Sequence, residues 1–132
     1  MEPAHDRLAA VERFNNAFNQ KDVGAVMAMA TPDIVFENTS GGCFEGQEAV
    51  RAVLDRAFQL MSRGWFETEE VLAVGDRVVV LWRYLFDKGQ PAQGSVRGID
   101  VFRVRAGLVA EKFSYVKSED FVHRLGITLP GS

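Results

Sequence analysis

The chain has 132 residues, of which 25% are charged, and its formal net charge is −3. This length fits one domain with a core of its own, so we interpret residues 1–132 as a single domain. The small net charge and scattered basic residues give no reason to expect nucleic acid or an acidic membrane surface as a partner, and no apolar window approaches a membrane span.

Helical patterns dominate the first half of the chain. Apolar residues recur at helical spacing in two long segments, and Asp22 has the residue type of an N-cap between them. A Thr-Ser-Gly-Gly sequence before the second long segment indicates a loop. These signals predict helices at about 4–20, from Asp22 until Pro32 ends it, and from Gly46 to before Gly64, with a short strand at 33–38.

The second half of the chain changes to the period of strands. Runs of alternating or continuous apolar residues are separated by Gly-containing turns, and Ser118 followed by two acidic residues indicates the start of a helix. The predicted strands are 65–74, 77–87, 94–105 and 108–117, followed by a short terminal helix.

Helices first and antiparallel strands afterwards predict an α+β fold in which the N-terminal helices pack on the concave face of a curved antiparallel sheet. The run Val78 to Trp82 is apolar on both faces of its strand, whereas helices can cover only one face of the sheet. The convex face would then need a partner. We therefore expect a homodimer formed through that face.

Asp100 is an acid in the middle of a predicted strand. Because strand side chains alternate, Asp100 shares the more apolar face with Gly98 and Phe102. A lone carboxylate on such a face is costly unless it is paired, hydrogen-bonded or protonated, and sites that need the group are where such a cost is tolerated. The sequence therefore predicts an internal pocket that contains Asp100.

The register of the last hairpin decides what faces Asp100. A three-residue loop at 105–107, with glycine in its third position, is our preferred interpretation; it places Lys112 opposite Asp100 and Ser114 opposite Gly98. Lys112 would then hold the acid ionised. A two-residue turn would instead place Phe113 opposite Asp100 and leave the acid with apolar walls.

Other residues could line the pocket around this acid. Aromatic side chains on the first helix and the central strands serve equally well as core, although Trp82 and Tyr84 carry polar tips that could orient a ligand. Asn38 ends the first strand and is a candidate polar anchor, or only a turn residue. The predicted site comprises Asp100 and Lys112 as catalytic residues, and Phe14, Phe18, Asn38, Trp82, Tyr84, Phe102 and Ser114 as ligand-binding residues.

Soft metal ligands are scarce in this chain. The chain has one cysteine, Cys43, and its two histidines, His5 and His123, lie near opposite ends of the sequence. We therefore expect no metal site and no cofactor.

The compartment can be predicted from two features of the sequence. A single cysteine excludes an internal disulfide and fits a reducing compartment. The N-terminal segment has no apolar signal core, so we expect a cytoplasmic protein.

Several segments resemble one known family in the same order along the chain. They are 12–22 (ERFNNAFNQKD), 33–38 (DIVFEN), 44–50 (FEGQEAV), 75–80 (GDRVVV), 98–104 (GIDVFRV) and 107–115 (GLVAEKFSY). Together they resemble the SnoaL-like branch of the NTF2-like superfamily. The resemblance implies a cone-shaped fold that hosts polyketide cyclases, ketosteroid isomerase, epoxide hydrolases, dehydratases and non-catalytic binding domains.

The resemblance also implies roles for particular positions. The oxyanion-hole aspartate of ketosteroid isomerase corresponds to Asp100, but its tyrosine corresponds to Phe14 and its general base to Asn38, neither of which has the required group. The essential aspartate of the epoxide hydrolases corresponds to Ser114. In SnoaL-type cyclases the acid/base aspartate lies on the strand that corresponds to the strand of Asp100, and Asp100 provides the matching acid in this chain.

These observations predict a protein that binds a small apolar or carbonyl-bearing molecule and acts on it by acid/base chemistry at Asp100, as an isomerase, cyclase or dehydratase without a cofactor. Lys112 would tune the acid or stabilise an oxyanion. Two alternatives use the same fold. One is a non-catalytic ligand carrier or sensor, and the other is a dimeric assembly module that fills its cone with its own side chains.

Overall fold

The computed structural model describes residues 2–87, 89–91 and 94–117, so the predicted helix beginning at Ser118 lies outside the described residues. Helices precede a run of strands, as the sequence predicts. The elements are α1 (Ala4–Asn19), α2 (Val23–Ala28), β1 (Ala30–Glu37), β2 (Cys43–Glu45), α3 (Gln47–Leu60), β3 (Trp65–Val74), β4 (Arg77–Phe86), β5 (Gly94–Arg105) and β6 (Leu108–Val116).

The predicted N-cap of the second helix is confirmed. The Asp22 carboxylate accepts a hydrogen bond of 3.0 Å from the backbone N–H of Ala25, which satisfies one free donor of the first turn. The prediction that Pro32 ends this helix is wrong, because α2 ends at Ala28 and Pro32 lies inside β1. Proline lacks the N–H of a regular ladder, and it lies where the β1–β6 register shifts between Ala30 and Val35.

The six strands form one open, curved sheet in the order β2-β1-β6-β5-β4-β3. All neighbours are antiparallel except β1 and β6, which run parallel. The short edge strand β2 lies between the predicted Thr-Ser-Gly-Gly loop and the third helix, in a segment for which the sequence patterns predict no strand. Helix α1 packs on the strands β3 to β6 and α3 packs on β1 and β2, so both long helices lie on the concave face. The predicted α+β fold is confirmed.

The hairpin of β5 and β6 differs from our preferred interpretation. Its turn has two residues, Ala106 and Gly107, both with positive φ (52° and 78°), and Arg105 pairs with Leu108. Paired positive-φ residues match the right-handed twist of the flanking strands. The register then shifts within β6, because Val109 pairs with Val104 but Glu111 pairs with Arg103.

The register shift leaves Ala110 as an extra, bulged residue. As a result Ser114, and neither Lys112 nor Phe113, lies opposite Asp100, while Lys112 lies opposite Phe102. Both predicted pairings of Asp100 are therefore wrong. The bulge nevertheless returns Lys112 to the concave face, because a two-residue turn without it would have moved each following side chain of β6 to the other face.

The convex face carries apolar side chains that the helices do not cover. In β4, Val78, Val80 and Trp82 are buried on the concave side, whereas the alternate residues are half-buried on the convex side. At the ends of the neighbouring strands, Leu72 is 42% exposed and Tyr115 is 51% exposed. Within the described ranges no helix has the length and apolarity needed to cross a membrane.

Candidate functional site

A cavity of about 290 Å³ opens between α3, the end of α1 and the concave face of the sheet. Its volume is at the lower end of the range for small-molecule sites. Phenyl, indole and aliphatic side chains form most of the wall, and a few polar groups converge at the sheet. Most of the predicted site residues line it, namely Phe18, Asn38, Trp82, Asp100, Lys112 and Ser114.

Asp100 lies at the sheet side of this cavity and is only 6% exposed. Its Oδ2 is 3.6 Å from Lys112 Nζ, a distance that supports a charge contact but is long for a hydrogen bond. Its Oδ1 is buried and has no hydrogen-bond partner among the described residues. Because buried acceptors are nearly always satisfied, this oxygen is an open position for a donor from outside the described residues.

Lys112 is 5% exposed and reaches the same floor from β6. Its Nζ donates a hydrogen bond of 3.1 Å to Ser114 Oγ. The same nitrogen lies 4.5 Å from the ring centroid of Phe18 and 4.8 Å from that of Phe36, which favours the charged form. Burial nevertheless lowers the pKa of Lys112 below its usual value, and the charge of Asp100 opposes this only in part.

A second, smaller cavity of about 50 Å³ touches the same two charged residues from the side of α1. Asn15, Asn19 and Thr68 are among the polar residues that line it. This volume is too small for an organic ligand but is sufficient for water with several polar partners. Asp100 therefore lies between a ligand-sized cavity and a water-sized one.

Asn38 is a turn residue, as one of its two interpretations predicts, and it also lines the cavity. Its Oδ1 accepts hydrogen bonds from the Ser40 backbone N–H at 3.2 Å, the Ser40 hydroxyl at 2.9 Å and the Gly42 backbone N–H at 2.8 Å. These contacts close the turn between β1 and β2. Since the oxygen is engaged in the turn, only the side-chain NH₂ group can serve a ligand in the cavity that Asn38 lines.

Three predicted ligand-binding residues do not line the 290 Å³ cavity. Phe14 and Phe102 are fully buried and pack edge to face, with ring centroids 5.9 Å apart. Tyr84 packs between Phe66 and Phe86, and burial, followed by the charge of Asp87, raises its pKa to about 12. The structure therefore assigns these three side chains to the core, which the sequence equally allowed.

Sequence reasoning missed the wall that α3 contributes. Val53, Arg56, Ala57 and Leu60 line the cavity on this side, and Leu60 is 49% exposed. In the sequence Val53 and Ala57 belong to a broad apolar helix face that is typical of core, whereas Arg56 and Leu60 lie outside that face. The one available signal was the width of that face, because it exceeds what a helix needs to pack on one side of a sheet.

The described residues show no group of three or more His, Cys, Asp or Glu side chains that could hold a metal ion. Cys43 is exposed on β2, away from the floor of the cavity. The polar groups at that floor are one carboxylate, one amine and one hydroxyl. This set can accept, donate and relay protons, and it can stabilise a negative charge on a ligand oxygen.

Comparisons with known proteins agree with this geometry. The sequence model of the SnoaL-like domain family matches residues 11–112. An NTF2-like protein of unknown function from Mesorhizobium loti is 29% identical, with a TM-score of 0.73 over 89% of this chain and 96% of that chain. A proposed SnoaL-like polyketide cyclase from Jannaschia sp. CCS1 is 20% identical, with a TM-score of 0.78 over 97% of each chain.

A third structure, a proposed polyketide cyclase from Xanthomonas campestris pv. campestris, is 19% identical, with a TM-score of 0.72 over 92% of this chain and 97% of that chain. At such identities the two cyclase-like structures show a shared fold alone. A comparison with curated proteins found no significant match. The family match spans well over half of the sequence, and the chain therefore belongs to the SnoaL-like family of the NTF2-like superfamily.

Proposed function

We propose that this protein binds a small, largely apolar molecule in the 290 Å³ cavity and moves a proton on it with Asp100. The observation that carries the proposal is that Asp100 lines the cavity and that its buried Oδ1 has no hydrogen-bond partner among the described residues. An acceptor in this position suits a ligand that brings a hydroxyl or an acidic C–H group.

The chemistry we propose begins at a carbon next to a ligand carbonyl. The Asp100 carboxylate takes a proton from that carbon, and the bonding electrons move to the carbonyl oxygen to give an enolate. Lys112 Nζ lies 3.6 Å from Asp100 Oδ2 and can stabilise the new negative charge. Return of the proton to another atom of the ligand completes an isomerisation. Attack of the enolate on a second carbonyl of the ligand forms a C–C bond and an alkoxide, and transfer of the proton from Asp100 to that alkoxide completes a cyclisation.

One carboxylate has to serve as both base and acid in this scheme. In ketosteroid isomerase a general-base aspartate, which corresponds to Asn38 here, moves the proton, whereas a tyrosine and a protonated aspartate, which correspond to Phe14 and Asp100, hold the oxyanion. The small cavity beside Asp100 and Thr68 supports a water route by which the acid exchanges its proton with solvent. Membership of the SnoaL-like family and the resemblance to two proposed polyketide cyclases support a small organic ligand.

Hydrogen–deuterium exchange tests the proposal without knowledge of the natural substrate. The probe is 2-tetralone, an apolar bicyclic ketone, incubated in D₂O and followed by NMR at its α-protons. We expect the wild-type protein to accelerate the exchange, and we expect Asp100→Asn to reduce the acceleration by at least about 100-fold. Glu70→Gln, which removes an exposed carboxylate of β3, is the matched control and should leave it unchanged.

Equal rates for wild type and Asp100→Asn would show that Asp100 is not the base. The second candidate function would then apply, in which the protein carries or senses its ligand without reaction. The contact between Asp100 and Lys112 favours this candidate, because an acid that is already compensated by a buried cation can be a purely structural pair. Binding of 2-tetralone without catalysed exchange is the result expected of a carrier.

We also propose a cytoplasmic homodimer formed through the convex face. The exposed apolar residues Leu72, Val74 and Tyr115 support it. Glu69 forms two ion pairs at this face. Its Oε1 lies 2.8 Å from Arg97 Nε, and its Oε2 lies 3.9 Å from Arg83 Nη2. An apolar face whose charged side chains are ion-paired with one another is suited to a second copy of itself, because the pairing reduces the like-charge repulsion that would oppose the approach.

A further inference from the structure

The Lys112 amine has surroundings that proton transfer by Asp100 does not require. Lys112 lines both the ligand-sized cavity and the small polar cavity. The rings of Phe18 and Phe36 flank its Nζ at 4.5 and 4.8 Å. A carboxylate and a hydroxyl lie within 3.6 Å of the same nitrogen. A primary amine is thus held in an apolar chamber beside groups that can carry protons.

We propose that Lys112 forms a Schiff base with an aldehyde or ketone group of the ligand. The proposal rests on the ligand cavity of the proposed function but not on proton abstraction by Asp100. A desolvated lysine in an apolar pocket is a recognised route to an amine nucleophile. The lowered pKa of Lys112, which burial causes, supports the presence of the free amine.

The reaction conserves atoms and electrons without any other reactant. The ammonium group of Lys112 passes one proton to Asp100, and the free amine attacks the carbonyl carbon, forming a C–N bond and a carbinolamine after a proton shift from nitrogen to oxygen. The protonated Asp100 then gives its proton to the carbinolamine hydroxyl, which leaves as water as the C=N bond forms. The products are a protonated imine on Lys112 and one water molecule. The small cavity offers that water a way out.

Other described lysines lack this combination. The Nζ of Lys21 donates hydrogen bonds to the backbone oxygens of Gly64 at 2.7 Å and Asn19 at 3.3 Å, and Lys21 does not line the ligand cavity, although burial lowers its pKa too. Lys117 is exposed, so water solvates its charge. Lys112 is therefore the position at which a carbonyl ligand bound in the cavity would react.

Reductive trapping tests the inference. The protein is incubated with 2-naphthaldehyde and sodium cyanoborohydride, which converts an imine into a stable secondary amine, and the modified lysine is located by peptide mass spectrometry. We expect labelling at Lys112 to exceed that at Lys117 by about tenfold or more, because a bound aldehyde has a high effective concentration beside Nζ. The corresponding alcohol, 2-naphthalenemethanol, occupies the cavity but cannot form an imine and should protect Lys112.

Two variants complete the experiment. Lys112→Arg keeps the cation but cannot form the imine, so it should lose the label, and Lys117→Arg is the matched control that should keep it. The protection by the alcohol is measured on the wild type and does not depend on how Lys112→Arg folds. Labelling confined to exposed lysines, while the alcohol still binds in the cavity, would overturn the Schiff base and leave the proposed function standing. If neither compound binds, the proposed function fails together with this inference.

Discussion

Asp100 and Lys112 are both buried, and their contact at 3.6 Å has to offset the loss of two hydration shells. Such pairs add little to stability over an apolar replacement, but removal of one partner is strongly destabilising because the other charge remains buried and unpaired. The open Oδ1 of Asp100 shows that the pair is not optimised for stability. This favours a functional role for the carboxylate.

A double-mutant cycle measures the coupling. We expect Lys112→Met to lower the free energy of unfolding by about 3–5 kcal/mol, because it leaves the Asp100 charge buried without its partner. Asp100→Asn should cost less than Lys112→Met, because burial lowers the pKa of Lys112, so that the amine left behind can lose its proton and keep its hydrogen bond to Ser114. The double variant should recover most of the loss, as measured by urea denaturation. Simple additivity of the two effects would contradict the pairing.

At the scale of elements, the site depends on a close approach between Trp82 of β4 and the backbone of β5 at Gly98. Trp82 in β4 pairs with Gly98 in β5, and the indole ring occupies the space that a side chain at 98 would need. A Cβ atom there would lie 2.3 Å from the Trp82 ring and 2.5 Å from the backbone oxygen of Tyr115. Gly98 therefore allows Trp82 to lie flat on the sheet, where it forms part of the cavity wall.

We expect Gly98→Ala to lower the free energy of unfolding by about 1–3 kcal/mol, because the new methyl group meets backbone as well as a ring. It should also weaken binding of 2-tetralone by displacing Trp82. The matched control is Gly24→Ala in α2, where the nearest heavy atom is 3.6 Å from the added Cβ. That variant should be as stable as the wild type or up to about 1 kcal/mol more stable. Thermal and urea unfolding of both variants checks the expectation, and equal stabilities would contradict the close packing.

At the scale of the whole molecule, helices cover one face of the sheet and leave the other to solvent. The convex face carries Leu72, Val74 and Tyr115, which are 42%, 58% and 51% exposed. Between them on the same face lie four half-buried apolar residues of β4 and β5, namely Val79, Leu81, Ile99 and Val101. An apolar group that spans a sheet face in this way is typical of an interface. A homodimer would cover this face and leave the cavity, on the opposite side of the sheet, free for ligand.

Sedimentation equilibrium tests the dimer. We expect the wild type to have twice the mass of the 14.7 kDa chain at micromolar concentration. Leu72→Glu should shift it to the monomer, because a carboxylate would be buried in the interface without a partner. Leu60→Glu changes an apolar residue of similar exposure on α3 and should remain dimeric. A monomeric wild type would contradict the proposed interface.

Local patterns in the sequence determined the kind of fold and the face on which the acid lies. The spacing of apolar residues in α1 and α3, the N-cap at Asp22 and the alternation around Asp100 are properties of neighbouring residues, and the structure confirms each of them. From the same alternation, a three-residue hairpin turn would place Lys112 on the face of Asp100, whereas a two-residue turn would place it on the opposite face. The turn has two residues, but the extra residue Ala110 at the bulge shifts the alternation by one and brings Lys112 back to the face of Asp100.

Tertiary structure decided the rest. The bulge lies where β6 must pair with β5 on one side and, in parallel, with the irregular part of β1 on the other, and no local pattern encodes a constraint between segments so far apart in the sequence. The position of the cavity also depends on tertiary packing. Arg56 and Leu60 have the residue pattern of an ordinary helix surface, and they line a cavity only because α3 packs across the sheet. The sequence could therefore place Asp100 on the concave face. The position of Lys112 beside it and the cavity that both residues line depended on how distant segments pack.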